Sequence, residues 1–120
     1  FSHPLLFLKK SEEYGLSLDF RQSNSEGTLV SWIQEAVVND HVVGVIINAA
    51  AYTHTSIAIH DALKMLSIPV IEVHLSDPST REPFRHQSFI EPLATRVIKG
   101  KGAAGYLEAI DYFSVNRQDT

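Results

Sequence analysis

The feature that most constrains this chain is an alternation of short β-rich runs with helix-length segments. Val42 to Asn48 is a continuous apolar run of the kind found in strands buried on both faces of a sheet. Pro69 to Leu75 and Ala94 to Ile98 read as further strands, and Leu16 to Arg21 as a strand ahead of them. Between these runs the pattern turns helical. Ser23-Asn24-Ser25-Glu26 supplies cap chemistry for a helix to about Asn39, with Leu29, Ile33, Ala36 and Val37 on one face and Trp32 near its edge. Thr53 or Thr55 caps the next helix, which ends near Leu66. Gly105 to Val115 forms a terminal helix with Leu107, Ile110 and Phe113 inward, after which Gln118 to Thr120 fray. Strands alternating with helices imply parallel pairing and right-handed crossovers, hence a three-layer α/β sandwich with a parallel sheet. Ligands of such sheets bind beyond the carboxyl ends of the strands. That rule selects Asn48 to His54, His74 to Arg85 and Gly100 to Gly105.

The beginning fits this scheme less well. Leu5 to Leu8 has the look of a buried strand. A crossover to a parallel neighbour needs at least roughly 10–12 residues, helix included, and only Lys9 to Gly15 separates Leu8 from the Leu16 strand. The alternative is a helix from Pro4 through Tyr14, four apolar residues followed by polar ones, with a poor 3.6-residue period. Either reading implies that residues are missing before Lys9.

Composition narrows the class. With 120 residues, 44% of them apolar and 20% charged, one ordinary globular domain of modest core depth is expected, and assembly into an oligomer would support it. A net charge of −4 and no basic run longer than Lys9-Lys10 argue against nucleic acid, whose binding rests on phosphate neutralisation. The absence of cysteine excludes disulfides and thiolate chemistry and suits a cytoplasmic setting. No apolar run approaches a membrane span, and Phe1 to Leu8 lacks the basic start and small-residue cleavage site of a signal peptide.

Four stretches carry candidate chemistry. In Asn48 to Ser56, small residues after a buried strand admit a ligand to the backbone, and Asn48 can both donate and accept; the same stretch also reads as a capped loop whose polar groups satisfy local backbone. Glu72 and His74 fall on one side of a strand because the side-chain period is two. A carboxylate beside an imidazole keeps it able to donate a proton, so they form a plausible general-acid pair; the competing reading is an exposed edge-strand pair. The apolar neighbours Ile68, Val70, Ile71 and Val73 favour a central strand. Arg81, Arg85 and His86 share one loop, where arginine suits carboxylates and hydroxyls, or simply faces solvent. Gly100 to Gly105 spells G-x-G-x-x-G between a strand and a helix, which taken alone suggests a nucleotide or flavin domain. Only fifteen residues follow it, without a second strand or a ribose-binding acid, so a tight turn is the better account. The six histidines show no strong metal-ligand spacing, and no cofactor is expected.

Taken in order, these motifs resemble type II dehydroquinases from about Asp19 to Tyr112. The matching runs are Phe20-Arg21-Gln22-Ser23-Asn24 with Glu26-Gly27, Ile47-Asn48-Ala49 with Tyr52-Thr53-His54-Thr55-Ser56, and Asp61-Ala62-Leu63. Pro69 through Ser76, Arg81 through His86, and Gly100-Lys101-Gly102 with Gly105-Tyr106 complete the set. The resemblance implies a flavodoxin-like fold and cofactor-free dehydration of 3-dehydroquinate to 3-dehydroshikimate through an enolate, in the shikimate pathway of aromatic amino-acid biosynthesis or in quinate metabolism. It implies a cytoplasmic homo-oligomer, trimers assembling to a dodecamer. By the same resemblance His74 is the general acid, Glu72 orients it, and Asn48 holds the leaving hydroxyl with an ordered water. Leu75, through its N–H, and Ser76 bind the substrate carboxylate. His54 and Arg85 hold ring hydroxyls, Asp61 reaches the site of a neighbouring subunit, and Arg81 supports the loop there.

One departure matters. The family opens with a strand followed by a mobile lid carrying a tyrosine base and an arginine beside it. No such run stands in this sequence, and neither Tyr14, Tyr52, Tyr106 nor Tyr112 occupies its motif. The expectation is a single dehydroquinase-like domain over residues 1–120 that lacks the lid segment near residues 8–9, with Leu5 to Leu8 as the family's first strand. The alternative function is a non-catalytic relative that keeps the pocket and binds cyclic hydroxy acids.

Overall fold

The computed structural model describes residues 4–116; Phe1 to His3 and the Gln118 to Thr120 tail lie outside them. Three parallel strands, β1 (Val45–Ile47), β2 (Val70–His74) and β3 (Arg96–Lys99), lie in the order β1-β2-β3. Four helices accompany them: α1 (Pro4–Glu13), α2 (Glu26–Val38), α3 (Ile57–Lys64) and α4 (Ala104–Asn116). Val45 pairs with Val70 on one side of β2, and His74 with Lys99 on the other.

Burial explains the central position of β2. All five of its residues are buried, including the two polar ones. Alternation along the strand sends Val70 into one core with Ile33, Ile59 and Leu63 of α2 and α3. It sends Ile71 and Val73 into another with Ile98 of β3 and Ala109 and Phe113 of α4. Helices thus cover both faces, and a three-layer α/β sandwich results. Among the described residues, no helix is long and apolar enough to cross a membrane.

The caps follow local chemistry. Ser25 begins α2 by accepting the Thr28 N–H, as its cluster of cap residues foretold. The cap of α3 is Ser56, which accepts from the Ile59 N–H, and not Thr53 or Thr55. The shift arises because Ala50–His54 first winds into a 3₁₀ turn that contains Thr53 and ends on Thr55 before the helix can start.

Two expectations at the amino-terminal end are corrected. Leu5 to Leu8 is not a strand: it lies within α1, with Leu5 81% exposed and Phe7 1%. Proline suits a first helical turn, where its missing N–H has no partner to lose. The buried stripe is narrow, Phe7 and Ser11 four residues apart, which is why the sequence showed so weak a helical period. Lys10 (3.3 Å) and Tyr14 both reach Asp111, fastening α1 to α4. With this segment helical, the short crossover that the strand reading required does not arise. Leu16 to Arg21 is likewise assigned to no strand. Its residues alternate between half-buried and exposed as a strand's would, but no ladder joins them to the sheet.

Gly44, just ahead of β1, lies close against Phe113 of α4. A Cβ at this position would stand 1.9 Å from Cε1 of Phe113, itself buried in the α4-side core. Overpacking of this kind costs about 1–3 kcal/mol. Gly44→Ala is therefore expected to lower the unfolding free energy in denaturant by that amount, and to cost clearly less in a Phe113→Leu background. Strict additivity of the two substitutions would contradict the close approach.

Candidate active site

The carboxyl ends of β1 and β2 open onto one cavity of about 240 Å³. Its lining brings together Asn48, His54, His74, Leu75, Ser76, Arg81 and Arg85, with Ala50, Ala51 and Pro78 between them. These residues come from three separate stretches of chain, and the parallel topology gathers them at one edge as the strand-end rule requires.

The chemistry concentrates on β2. Glu72 and His74 share a face, and His74 Nε2 lies 2.5 Å from Glu72 Oε2. Glu72 is 1% exposed and His74 8%, so the pair is buried and the edge-strand reading fails. Ser88 donates to the same Oε2 at 2.8 Å. A second, smaller cavity of about 40 Å³ runs behind the pair, against Glu72, His54 and Arg85.

Asn48 ends β1 with its amide fixed from both sides. Its Nδ2 donates to the Tyr106 hydroxyl at 2.9 Å, and its Oδ1 accepts the Ala50 N–H at 3.0 Å. Burial raises the Tyr106 pKa, partly offset by the Asn48 bond, so the phenol stays protonated at neutral pH. The turn after Asn48 places Ala50 at φ 50°, a left-handed conformation that crowds its Cβ against the carbonyl oxygen. Strain of this kind is concentrated where a backbone is aimed at a ligand.

His54 donates from Nδ1 to the Gln87 carbonyl at 2.7 Å, since a carbonyl can only accept. Its Nε2 is left to face other partners. The His54 and His74 rings stack at 6.5 Å between centroids. Arg85 is held by Glu82 at 2.9 Å. The Phe89 N–H reaches the Thr53 carbonyl, tying the arginine loop to the turn that carries His54. Asp77 closes the loop after β2 by accepting from Ser79; the Ser79 hydroxyl and N–H hold its carboxyl below the ordinary range.

The glycine motif serves this loop. Gly100 and Gly102 adopt φ 77° and 56°, and their N–H groups bond the carbonyls of Ser76 (3.2 Å) and Leu75 (2.9 Å). The turn therefore pins two cavity-lining residues. Among the described residues, no group of three or more His, Cys, Asp or Glu gathers as a metal site would require.

Asp61 does not join the cavity. It is exposed on α3, between Ile57 and Met65, themselves 59% and 66% exposed. Three residues of the site went unread in the sequence: Ser88, Tyr106 as partner of Asn48, and the strained Ala50. Ser88 sits in a polar, proline-punctuated loop without periodicity, so nothing local marks its contact. Tyr106 lies in α4, as the helical pattern implies, but its reach to Asn48 at the end of β1 depends on packing across the sheet.

Similarity to known proteins agrees with this geometry. The family model described as "Dehydroquinase class II" matches residues 6–114. A 3-dehydroquinate dehydratase of Rhizobium johnstonii is 55% identical over 98 residues, 82% of this chain and 66% of the relative. That of Hyphomonas neptunium is 62% identical over 86 residues, 72% of this chain and 57% of the relative. The chain thus spans two thirds or less of the length of these curated relatives. The crystal structure of a type II dehydroquinase from Propionibacterium acnes superposes with a TM-score of 0.87 at 39% identity, covering 92% of this chain and 75% of that one. A 3-dehydroquinate dehydratase-like protein from Bifidobacterium longum gives a TM-score of 0.77 at 32% identity, covering 95% of this chain and 85% of that one. The parallel sheet between two helical layers is the flavodoxin-like arrangement, and the chain belongs to the class II dehydroquinase family.

Proposed function

We propose that the protein dehydrates 3-dehydroquinate to 3-dehydroshikimate. The observation that carries this reading is the buried Glu72–His74 pair, 2.5 Å apart, whose histidine lines a cavity beyond the central strand. A proton leaves the carbon next to the ketone, giving an enolate. The neighbouring hydroxyl then departs as water, taking a proton from His74. Glu72 orients the imidazole for that transfer. Asn48, with its amide held by Tyr106 and the Ala50 N–H, would hold the departing hydroxyl and an ordered water. The Leu75 N–H and Ser76 take the substrate carboxylate, while His54 and Arg85 take ring hydroxyls. Arg81 supports the loop.

The base that starts the reaction is assigned to no residue of this sequence. None of the four tyrosines lines the cavity. Tyr106, the nearest by contact, has its pKa raised by burial, which is the opposite of what a tyrosinate base requires. Residues 1–120 then form one dehydroquinase-like domain without the lid segment, whose expected place near residues 8–9 falls within α1.

The same reading makes the protein a cytoplasmic homo-oligomer of trimers assembling to a dodecamer, in shikimate or quinate metabolism. The subunit contact is supported by the stripe Ile57, Asp61 and Met65, along α3 to its cap and one helical turn apart, in which exposed apolar residues flank the carboxylate. Such a stripe suits a subunit contact that carries Asp61 to a neighbour's cavity.

The full-length protein should convert 3-dehydroquinate, followed by the absorbance of the conjugated enone. His74→Ala should lower kcat by about 10²–10⁴-fold, the range of a lost general acid; Arg85→Ala should act mainly on KM. No turnover with the oligomer intact overturns the proposal. A rise in Tm with dehydroquinate but no consumption would point instead to a binding protein that keeps the pocket. Asp61→Ala subunits and His74→Ala subunits, each inactive alone, should regain activity when co-assembled. Absence of recovery in verified mixed oligomers would rule out a role for Asp61 in trans.

A further inference from the structure

Ser88 makes more bonds than its place in an irregular loop would suggest. Its Oγ accepts the N–H groups of Ile90 (3.1 Å) and Glu91 (3.0 Å). It also lies 2.8 Å from Glu72 Oε2. A hydroxyl has one hydrogen and two lone pairs. With both lone pairs taken by backbone donors, the hydrogen has one direction left, toward Glu72. The serine is thereby an obligate donor.

That constraint propagates. An oxygen that receives a donor serves better as a carboxylate acceptor than as the hydroxyl of a neutral acid. Glu72 Oε2 also lies 2.5 Å from His74 Nε2. Two acceptors cannot share that contact, so Nε2 carries the hydrogen. His74 Nδ1 has no hydrogen-bond partner among the described residues, and the ring lines the cavity.

We propose that Ser88 is a positioning residue that fixes the polarity of the Glu72–His74 pair: it holds Glu72 Oε2 as acceptor, so that neutral His74 is the Nε2–H tautomer and its proton traffic runs through Nδ1. The consequence for turnover rests on the dehydratase reading. The imidazolium gives its Nδ1 proton to the leaving hydroxyl, which departs as water. The Nδ1 lone pair then faces the cavity, and the Nε2–H···Glu72 bond is unchanged. The tautomer itself does not depend on that reading.

The test is the ¹⁵N spectrum of His74 at a pH where the imidazole is neutral, alongside steady-state kinetics. In Glu72→Gln, Ser88 still demands an acceptor, so the amide oxygen must occupy the Oε2 position and His74 must stay Nε2–H. In Glu72→Gln with Ser88→Ala the amide is free to turn its NH₂ toward Nε2, and the Nδ1–H tautomer should appear. Ser88→Ala alone should lower kcat on the order of 10-fold, a part of what a general acid supplies, with little change in KM. Ser88→Thr, which keeps the hydroxyl, should restore both readouts. An Nδ1–H tautomer in Glu72→Gln, or an unchanged Nε2–H tautomer in the double variant, overturns the proposal. The Glu72→Gln spectrum decides it even where removal of Ser88 prevents folding. A wild-type protein without turnover would sink the dehydratase reading and leave the spectral test standing.

Discussion

The contact between Glu72 and His74 is the constraint on which the rest of the site depends. Both side chains are buried in a strand that is buried at every position. Ionic groups lose several kcal/mol of hydration apiece on such burial, and deleting one partner alone costs about 3–5 kcal/mol because the other is stranded. A pair in that position is therefore maintained only by close geometry and further hydrogen bonds. Ser88 supplies one of these from a loop more than a dozen residues downstream. The central strand gives the pair its rigidity, since β1 and β3 clamp it on both edges.

Around that pair the cavity is assembled by backbone ties between loops. The Gly100–Gly105 turn holds Leu75 and Ser76 by their carbonyls, and the Thr53 carbonyl holds Phe89. Asn48 is fixed by a phenol on α4 and by the N–H of a strained alanine. Each tie joins elements distant in sequence, so the polar residues are preorganised by the fold and not by their immediate neighbours. Preorganised dipoles need not reorient during a reaction, which is where an enzyme gains over water.

How much of this the sequence carried depended on whether the signal was local. β1 was legible as a continuous apolar run, and β2 and β3 as short β-rich runs between helix-length or loop segments, although each observed strand is shorter than or shifted from its run. The Glu72–His74 pair was found because a period of two puts both side chains on one face. The gathering of Asn48, His54, Ser76 and Arg85 followed from the strand-end rule together with the family resemblance. The first helix was misjudged because Phe7 and Ser11 make too narrow a stripe to show a period, while Leu5 and Leu6 face outward and Leu8 is only half-buried. Leu16 to Arg21 was misjudged because alternation reports which way side chains face, not whether a neighbouring strand accepts the backbone.

The glycine motif shows how one local pattern can serve different chemistry. In a dinucleotide site, glycines after a strand let phosphate approach a helix N-terminus. Here the same spacing yields two left-handed turns whose N–H groups point at the preceding loop of the same chain. Gly105 then lets α4 pack close on β2 and β3: a Cβ there would meet Val73 and Ile98 at 3.3 Å. That close packing sets the depth at which Tyr106, the next residue, meets Asn48. A change in the turn would move the phenol, then the amide, and then the part of the cavity lined by Asn48. The motif thus acts on the site twice, through the carbonyls of Leu75 and Ser76 and through the position of a helix.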